Sequence, residues 1–383
     1  MVYKGKKMSE ELGLVLITEK SLNRSITGHI IKEIFSRGIK PLELLEARMY
    51  APSEKLIQEY IKLILDEDFK NYLKREYIEK NKGLLRKRMM LLLFKGEDAI
   101  SQIKGIVGHI SRRIDGTLRN SFAEFTEDKE GKIIGFTEPV VIIIPEEKCA
   151  KNVISLWAEY SQSDAGLLDN LIDWEKILSR WDTQEYETLK YRDGITSTSK
   201  EMLENIQQTL VLIKPDNIYT KSHKVGAIID ALAGPGLKMI GVKAVNMSVE
   251  QAVEFYQPIE ERLMKKYGEQ NGKKAFSEII KFMTGFNPYK VTEPGKREAL
   301  GGKQQQSLAL VYQGPFALDR IRKKIGATDP LEAEPGTIRR EFGHDIMKNG
   351  VHASDSLESV ERELKIIDIQ GTSLKNIVKE KFG

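Results

Sequence analysis

The sequence predicts an α+β protein made of two ferredoxin-like βαββαβ domains joined by a helical linker. Three observations carry this expectation. The apolar run LVLI occurs at residues 14–17 and again at 210–213. Glycines recur at matched positions: Gly28 and Gly226 each stand just before an isoleucine pair, Gly38 and Gly236 follow ten residues later, and Gly96–Gly108 and Gly314–Gly326 are both twelve apart. GTLR at 116–119 then answers GTIR at 336–339. Between these landmarks both halves run strand, helix, strand, helices, strand, helix, loop, short strand, helix, which is the split βαβ order. One copy spans 10–160 and the other 206–383, with 161–205 as the linker between them.

The elements follow from local pattern. LVLI is a short apolar run of strand type. Apolar residues at three-to-four spacing predict helices over 54–80, 249–266 and 317–324. The linker segment 163–181 has the same spacing through Leu167, Leu168, Leu171, Trp174, Ile177, Leu178 and Trp181, with Ser163 or Asp164 as its cap. Residues 191–200 are expected to be a flexible tether. The stretch 286–306 is polar and rich in glycine, proline and lysine. It reads as a solvated loop insertion, or alternatively as a lid or partner-binding loop. The run 80–88 is the densest basic cluster, either a solvated helix end or a contact for nucleic-acid phosphates. It lacks the interleaved aromatics that single-strand stacking needs.

Composition narrows the classes. Of the 383 residues 40% are apolar and 30% charged, enough for a packed core and against disorder. The net charge of +4 is a mixed balance that by itself calls for neither nucleic acid nor membrane. The single cysteine, Cys149, permits no intrachain disulfide. The longest strongly apolar run, 140–144, is far short of the roughly 20 residues that span a bilayer, and the start of the chain lacks a signal-peptide core. The expectation is a cytoplasmic protein without a membrane partner.

The chemistry concentrates in Asn349-Gly350-Val351-His352-Ala353-Ser354-Asp355-Ser356. Read alone, this is a histidine ending a short strand, with Ser354 or Ser356 capping the next helix. An isolated histidine is most simply a hydrogen-bonded structural imidazole. A Ser-His-Asp triad is disfavoured, because residues this close in sequence rarely converge as nucleophile, base and orienter. Metal ligation by His344 and His352 lacks a recognisable ligand set.

The wider context changes that reading. The segment resembles the nucleoside diphosphate kinase signature N-x-[IV]-H-G-S-D-S. Lys214-Pro215-Asp216 after the first strand, Tyr256 in the following helical region, Gly326-Ala327-Thr328-Asp329-Pro330, Pro335-Gly336-Thr337-Ile338-Arg339, and Glu358 and Glu363 after the histidine agree in family order. The resemblance covers 207–365. It implies a phosphotransferase moving a γ-phosphoryl group between nucleoside triphosphates and diphosphates through a phosphohistidine at His352. Lys214, Arg322 and Arg339 would meet the phosphate charge, with Tyr256, Thr328 and Asn349 placing phosphates and sugar. Glu363, supported by Ser354, would orient the histidine. Mg2+ would bridge the outer phosphates, held mostly by nucleotide and water. There are two departures from the pattern. Ala353 replaces the glycine after the histidine, and Ala275, with Phe276 next to it, stands where a phenylalanine usually stacks on the base. Ile279 and Ile346 fall on the remaining apolar base contacts.

The first copy keeps the landmarks and drops the reagents. Thr18 stands for Lys214, Lys104 for Arg322, Arg119 keeps the place of Arg339, and no histidine follows. It reads as a structural copy, or as a nucleotide-sensing pocket without transfer. Enzymes of the resembled family are oligomers, so the expected partner of the second copy is either another chain or the first copy in an intrachain pseudo-dimer. Two rivals to the transferase remain: a non-catalytic nucleotide-binding regulator, and a nucleic-acid-binding protein, the less favoured.

Overall fold

The computed structural model describes residues 10–81, 86–144, 146–179, 198–219, 224–234, 236–291, 298 and 300–383. The chain divides into two compact units, Met1–Ile172 together with Gln370–Gly383, and Asp173–Ile369.

In the first unit the runs β1 (Glu10–Ile17), β2 (Glu43–Tyr50) and β3 (Met89–Glu97) are joined by β6 (Val141–Ile143). They form one antiparallel sheet in the order β2-β3-β1-β6. A hairpin, β4 (Glu124–Glu127) and β5 (Ile133–Glu138), precedes β6. In the second unit β7 (Ile206–Ile213), β8 (Lys238–Val245), β9 (Ser307–Pro315) and β10 (Val351–Ala353) repeat the arrangement as β8-β9-β7-β10. Helices cross between the first and second and between the third and fourth strands of each sheet, which is the ferredoxin-like topology. Almost every residue of β1, β3, β7 and β9 in the LVLI-type stretches is buried, because each of these strands is central in its sheet.

The correspondence extends to unusual backbone. Asp98 and Phe316 have positive φ of 50° and 51° at the start of matched helices, and Gly108 and Gly326 have φ of 87° and 83° at their ends. At Gly326 an added Cβ would also lie 2.5 Å from Thr337 Oγ1. At Gly108 it would lie 2.3 Å from Thr117 Oγ1, so both turns require glycine for conformation and for space.

Four expectations need correction. The helix expected over 54–80 is broken: Glu54–Leu63 ends where Ile64 turns extended, and Asp66 then caps Glu67–Lys74 by accepting from Phe69 N. The helix expected over 163–181 is reduced to Trp174–Leu178, capped by Asp173. Asp164 is committed elsewhere, its carboxylate to Ser53 N at 2.7 Å and its carbonyl to Ala51 N at 2.7 Å. Trp181 lies outside the described residues, as do 191–197 of the tether, 82–85 of the basic run, and 292–297 and 299 of the insertion. The hairpin β4–β5 was not foreseen. Finally, the second unit ends at Ile369 rather than 383. Among the described residues no helix is long and apolar enough to cross a membrane.

Residues 370–383 complete the first unit. Arg48, 1% exposed, donates from Nη1 to Gly371 O at 2.7 Å, from Nη2 to Gln370 O at 2.6 Å and from Nε to Ser161 O at 2.9 Å. Glu46 Oε2 accepts from Ser373 N at 2.9 Å and Ser373 Oγ at 2.8 Å. Leu374 is fully buried in the same core as Trp157, onto which Tyr50 and Tyr60 pack edge-on at 5.0 and 5.4 Å. Arg48→Ala strips several buried carbonyls of their donor, so it should cost on the order of 3 kcal/mol of first-unit stability. Urea unfolding followed by Trp157 fluorescence checks this, and a loss within about 0.5 kcal/mol, the ordinary scale of a surface change, would contradict it.

Candidate active site

The site grows from the shortest strand of the second sheet. β10 pairs with β7 so that His352 lies opposite Leu212, flanked by Val351 against Ile213 and Ala353 against Val211. Alternation buries Val351 and Ala353 on one face and leaves His352 on the other with 18% of its side chain exposed. Before the strand Gly350 takes φ 85°, and its carbonyl accepts from Lys214 N at 2.9 Å. The lysine that leaves β7 is thereby set beside the histidine that enters β10.

Behind the histidine lies a buried carboxylate. His352 Nε2 and Glu363 Oε2 are 3.0 Å apart, and Glu363 is 2% exposed. Ser354 Oγ donates to the same oxygen at 2.7 Å, and Arg362 Nη2 donates to Oε1 at 3.3 Å. Of the two serines considered as helix caps, Ser356 caps Leu357–Ile366 by accepting from Ser359 N, which leaves Ser354 for Glu363. The imidazole packs edge-on against Phe255 at 5.0 Å and Tyr256 at 6.0 Å. Both sit on the helix Val249–Tyr267, which Ser248 starts with a capping box through Gln251.

In front of the histidine is a cleft of about 420 Å³. Its walls include His352, Lys214, Tyr256, Ile279, Arg322, Thr328, Arg339, Ile346 and Asn349. Glu363 and Ser354 complete the eleven site residues expected from the sequence, behind the ring. Lys214 is buried, with Nζ donating to Asn349 Oδ1 at 2.6 Å and Met347 O at 3.0 Å. Burial pulls its pKa down to about 8, against the attraction of Asp216. Asn349 is held in turn by Nδ2 donating to Thr328 O at 2.9 Å. Arg339 donates to Gly326 O at 3.0 Å and Val351 O at 3.3 Å, and burial lowers its pKa to about 10. Arg339 Nε and Tyr256 OH are buried without a hydrogen-bond partner among the described residues. Arg322 is exposed on the rim. Asp355 also lines the cleft, its pKa lowered first by the Ser359 hydroxyl, which donates at 2.7 Å.

The apolar end differs from expectation. Phe276 is 1% exposed and absent from the cleft wall, as is Ala275. Phe282 lines it instead, on the same face of the helix Glu269–Thr284 as Ile279 and Met283. The spacing Ile279-Phe282-Met283 was the available signal, since positions three and four apart share a helix face. Arg262, Lys266 and Tyr267, from the end of Val249–Tyr267, also reach the cleft and were not foreseen.

Converging cations and unpaired buried donors around a histidine held from behind define a site for a phosphate-rich ligand. The nucleoside diphosphate kinase family model matches residues 207–292 and 302–368, its gap falling within the insertion. Nucleoside diphosphate kinase of Methanococcus maripaludis is 33% identical over 161 residues, 42% of this chain and 97% of that one. That of Sulfurisphaera tokodaii is 36% identical over 162 residues, 42% of this chain and 88% of its own. A crystal structure of the Aquifex aeolicus nucleoside diphosphate kinase shares 30% identity over 42% of this chain and 94% of that one, with a TM-score of 0.33. The chain belongs to the nucleoside diphosphate kinase family, and so to the phosphotransferases that act on nucleotides.

The buried lysine has a consequence for stability. Its pKa is about 8 in the folded chain against the ordinary 10.5, so the unfolded chain binds more protons between those values and stability rises with pH across that window. The full effect is roughly 3 kcal/mol. Lys214→Met removes this dependence. The stability of wild type minus that of the variant should therefore increase from pH 7 to pH 10.5, and parallel pH profiles from chemical denaturation would rule the effect out.

Proposed function

We propose that His352 takes the γ-phosphoryl group from a nucleoside triphosphate and passes it to a nucleoside diphosphate. The observation that carries this is the clamp of His352 Nε2 against Glu363, itself fixed by Ser354 and Arg362. With Nε2–H donated to the carboxylate, Nδ1 holds the lone pair and the ring is a neutral nucleophile. Attack forms an N–P bond as the bond between the γ-phosphorus and the bridging oxygen breaks, and the nucleoside diphosphate leaves. The second half-reaction runs the same exchange backwards onto a new diphosphate, which is a ping-pong course.

Phosphoryl transfer asks chiefly for positioning and for cations around the equatorial oxygens. Lys214, Arg322 and Arg339 supply charge along one cleft. Tyr256 OH and Arg339 Nε have donor capacity to spare. Because the folded pKa of Lys214 is about 8, phosphate contact would favour its charged form and strengthen binding. Thr328 and Asn349 would set the sugar and phosphates, while Ile279, Phe282 and Ile346 offer the base an apolar wall.

Magnesium enters as part of the nucleotide substrate. Among the described residues no cluster of three or more His, Cys, Asp and Glu side chains could hold an ion alone, and Asp355 is the carboxylate on the cleft wall. Such a donor set would fit an ion that arrives with the nucleotide and supplies charge neutralisation at the phosphates.

The first unit supports a structural copy over a second transferase. The register Val141 against Ile17 matches Val351 against Ile213, which puts Ile142 at the place of His352. Phe69 lies over the Arg119 guanidinium at 5.3 Å, where the second unit leaves an open cleft over Arg339.

His352→Ala should abolish acid-labile labelling by γ-labelled ATP and transfer to a nucleoside diphosphate, with nucleotide binding retained. Label on that variant would sink the assignment. Arg339→Ala should cost roughly 2–4 kcal/mol of transition-state stabilisation, about 30- to 1,000-fold in kcat/KM. Steady-state kinetics within a few-fold of wild type would contradict a role on phosphate charge.

A further inference from the structure

A cavity of about 570 Å³ in the first unit has no part in the site described above. Five cations line it: Lys20 and Arg24 from one chain segment, Arg75, Lys80 and Lys87 from another. Its floor includes Tyr72 and Tyr77, both nearly fully buried.

The cations outnumber the carboxylates that hold them. Glu76 alone receives Arg75 Nε at 2.8 Å, Lys80 Nζ at 2.7 Å and Lys87 Nζ at 2.6 Å. Burial opposes its ionisation, yet those three partners hold its pKa at about 2. Lys20 pairs with Glu124, whose other oxygen lies 3.9 Å from Arg24. Glu76 and Glu124 thus hold these five cations between them. Two further acids, Glu19 and Glu138, line the cavity and narrow the gap without closing it. Glu19 is taken by Arg88 at 3.1 Å. Glu138 is 2% exposed and bound by Thr18 Oγ1 at 2.6 Å and Val140 N at 3.0 Å, and burial raises its pKa; with Arg88 counted, six cations face four carboxylates, a surplus of two.

A concave surface with more cations than carboxylates, drawn from two segments, selects a compact anion of high charge. We propose that this cavity is a binding site for a polyphosphate group, separate from the transfer cleft. Two excess charges match a di- or triphosphate chain better than a single monoanion. No histidine or other nucleophile suited to phosphoryl transfer lines the cavity, so its ligand is held and not processed. The proposal stands on the first unit's own residues and is independent of the role given to His352.

The test uses the full chain and inorganic tripolyphosphate, titrated by calorimetry at low salt. Wild type should bind two equivalents, one in each unit. Lys20 and Lys80 have side chains 47% and 56% exposed, so the double variant Lys20→Gln, Lys80→Gln should keep its fold, shown by unchanged thermal unfolding. It should lose one equivalent, or bind it at least tenfold more weakly, while its nucleotide phosphotransfer stays at the wild-type rate. In wild type, tripolyphosphate should also slow acetylation of Lys20 and Lys80 but not of the exposed Lys200. Titrations identical between variant and wild type, or no protection of the two lysines, would overturn the site. Loss of transfer in His352→Ala with two equivalents still bound would leave it standing.

Discussion

One three-residue pairing, β10 on the edge of β7, governs the second unit. It is short, and side chains alternate strictly along it, so a slip of one residue would bury His352 and expose its apolar neighbours. Two features fix the register. The Lys214 N to Gly350 O bond locks the entrance, and Ser354 N donating to Leu210 O locks the exit. With the register set, the histidine meets Glu363 behind it and the lysine beside it. The positive φ of Gly350 turns the chain sharply enough for Asn349 to reach Thr328 and Lys214 together.

The first unit shows which parts of that arrangement belong to the scaffold. Thr18 N donates to Val140 O just as Lys214 N donates to Gly350 O, and Val140 takes a φ of 69° that a β-branched residue rarely adopts. Arg119 binds Gly108 O and Val141 O, the counterparts of Gly326 O and Val351 O bound by Arg339. The two arginines are thus first of all braces between a turn and an edge strand. They differ at Nε, which in Arg119 donates to Pro139 O at 3.4 Å and in Arg339 is left over. The second unit thus leaves one donor of this brace unclaimed, and Phe69 covers the guanidinium in the first.

Much of this was legible in the sequence where local pattern and function coincide. The repeat could be read because turns such as Gly108 and Gly326 tolerate no side chain, and because LVLI marks a central strand. The cleft residues could be read because separated motifs around His352 agree in order with those of the nucleoside diphosphate kinase family. Elements decided by tertiary contact could not. Asp164 looks like a helix cap until Ser53 and Ala51 claim it. The run 54–80 has unbroken helical spacing, yet the chain turns at Ile64 because Asp66 can cap a fresh helix there. Phe282 escaped notice because the phenylalanine nearest the expected position, Phe276, faces the core. Ile142 was hidden in an apolar run whose register only pairing with β1 reveals.

Residues 370–383 belong to the first unit although the whole of the second unit is made between them and the rest of it. During synthesis the first unit therefore emerges without the groups that occupy Arg48 and Glu46, and with the place of Leu374 empty. The second unit, continuous from Asp173 to Ile369, has its full complement of strands before that segment leaves the ribosome. Domains usually mature in the order of translation. Here the first unit must wait for residues 370–383, which follow the whole of the second, so the second can gain all of its strands before the first gains that segment.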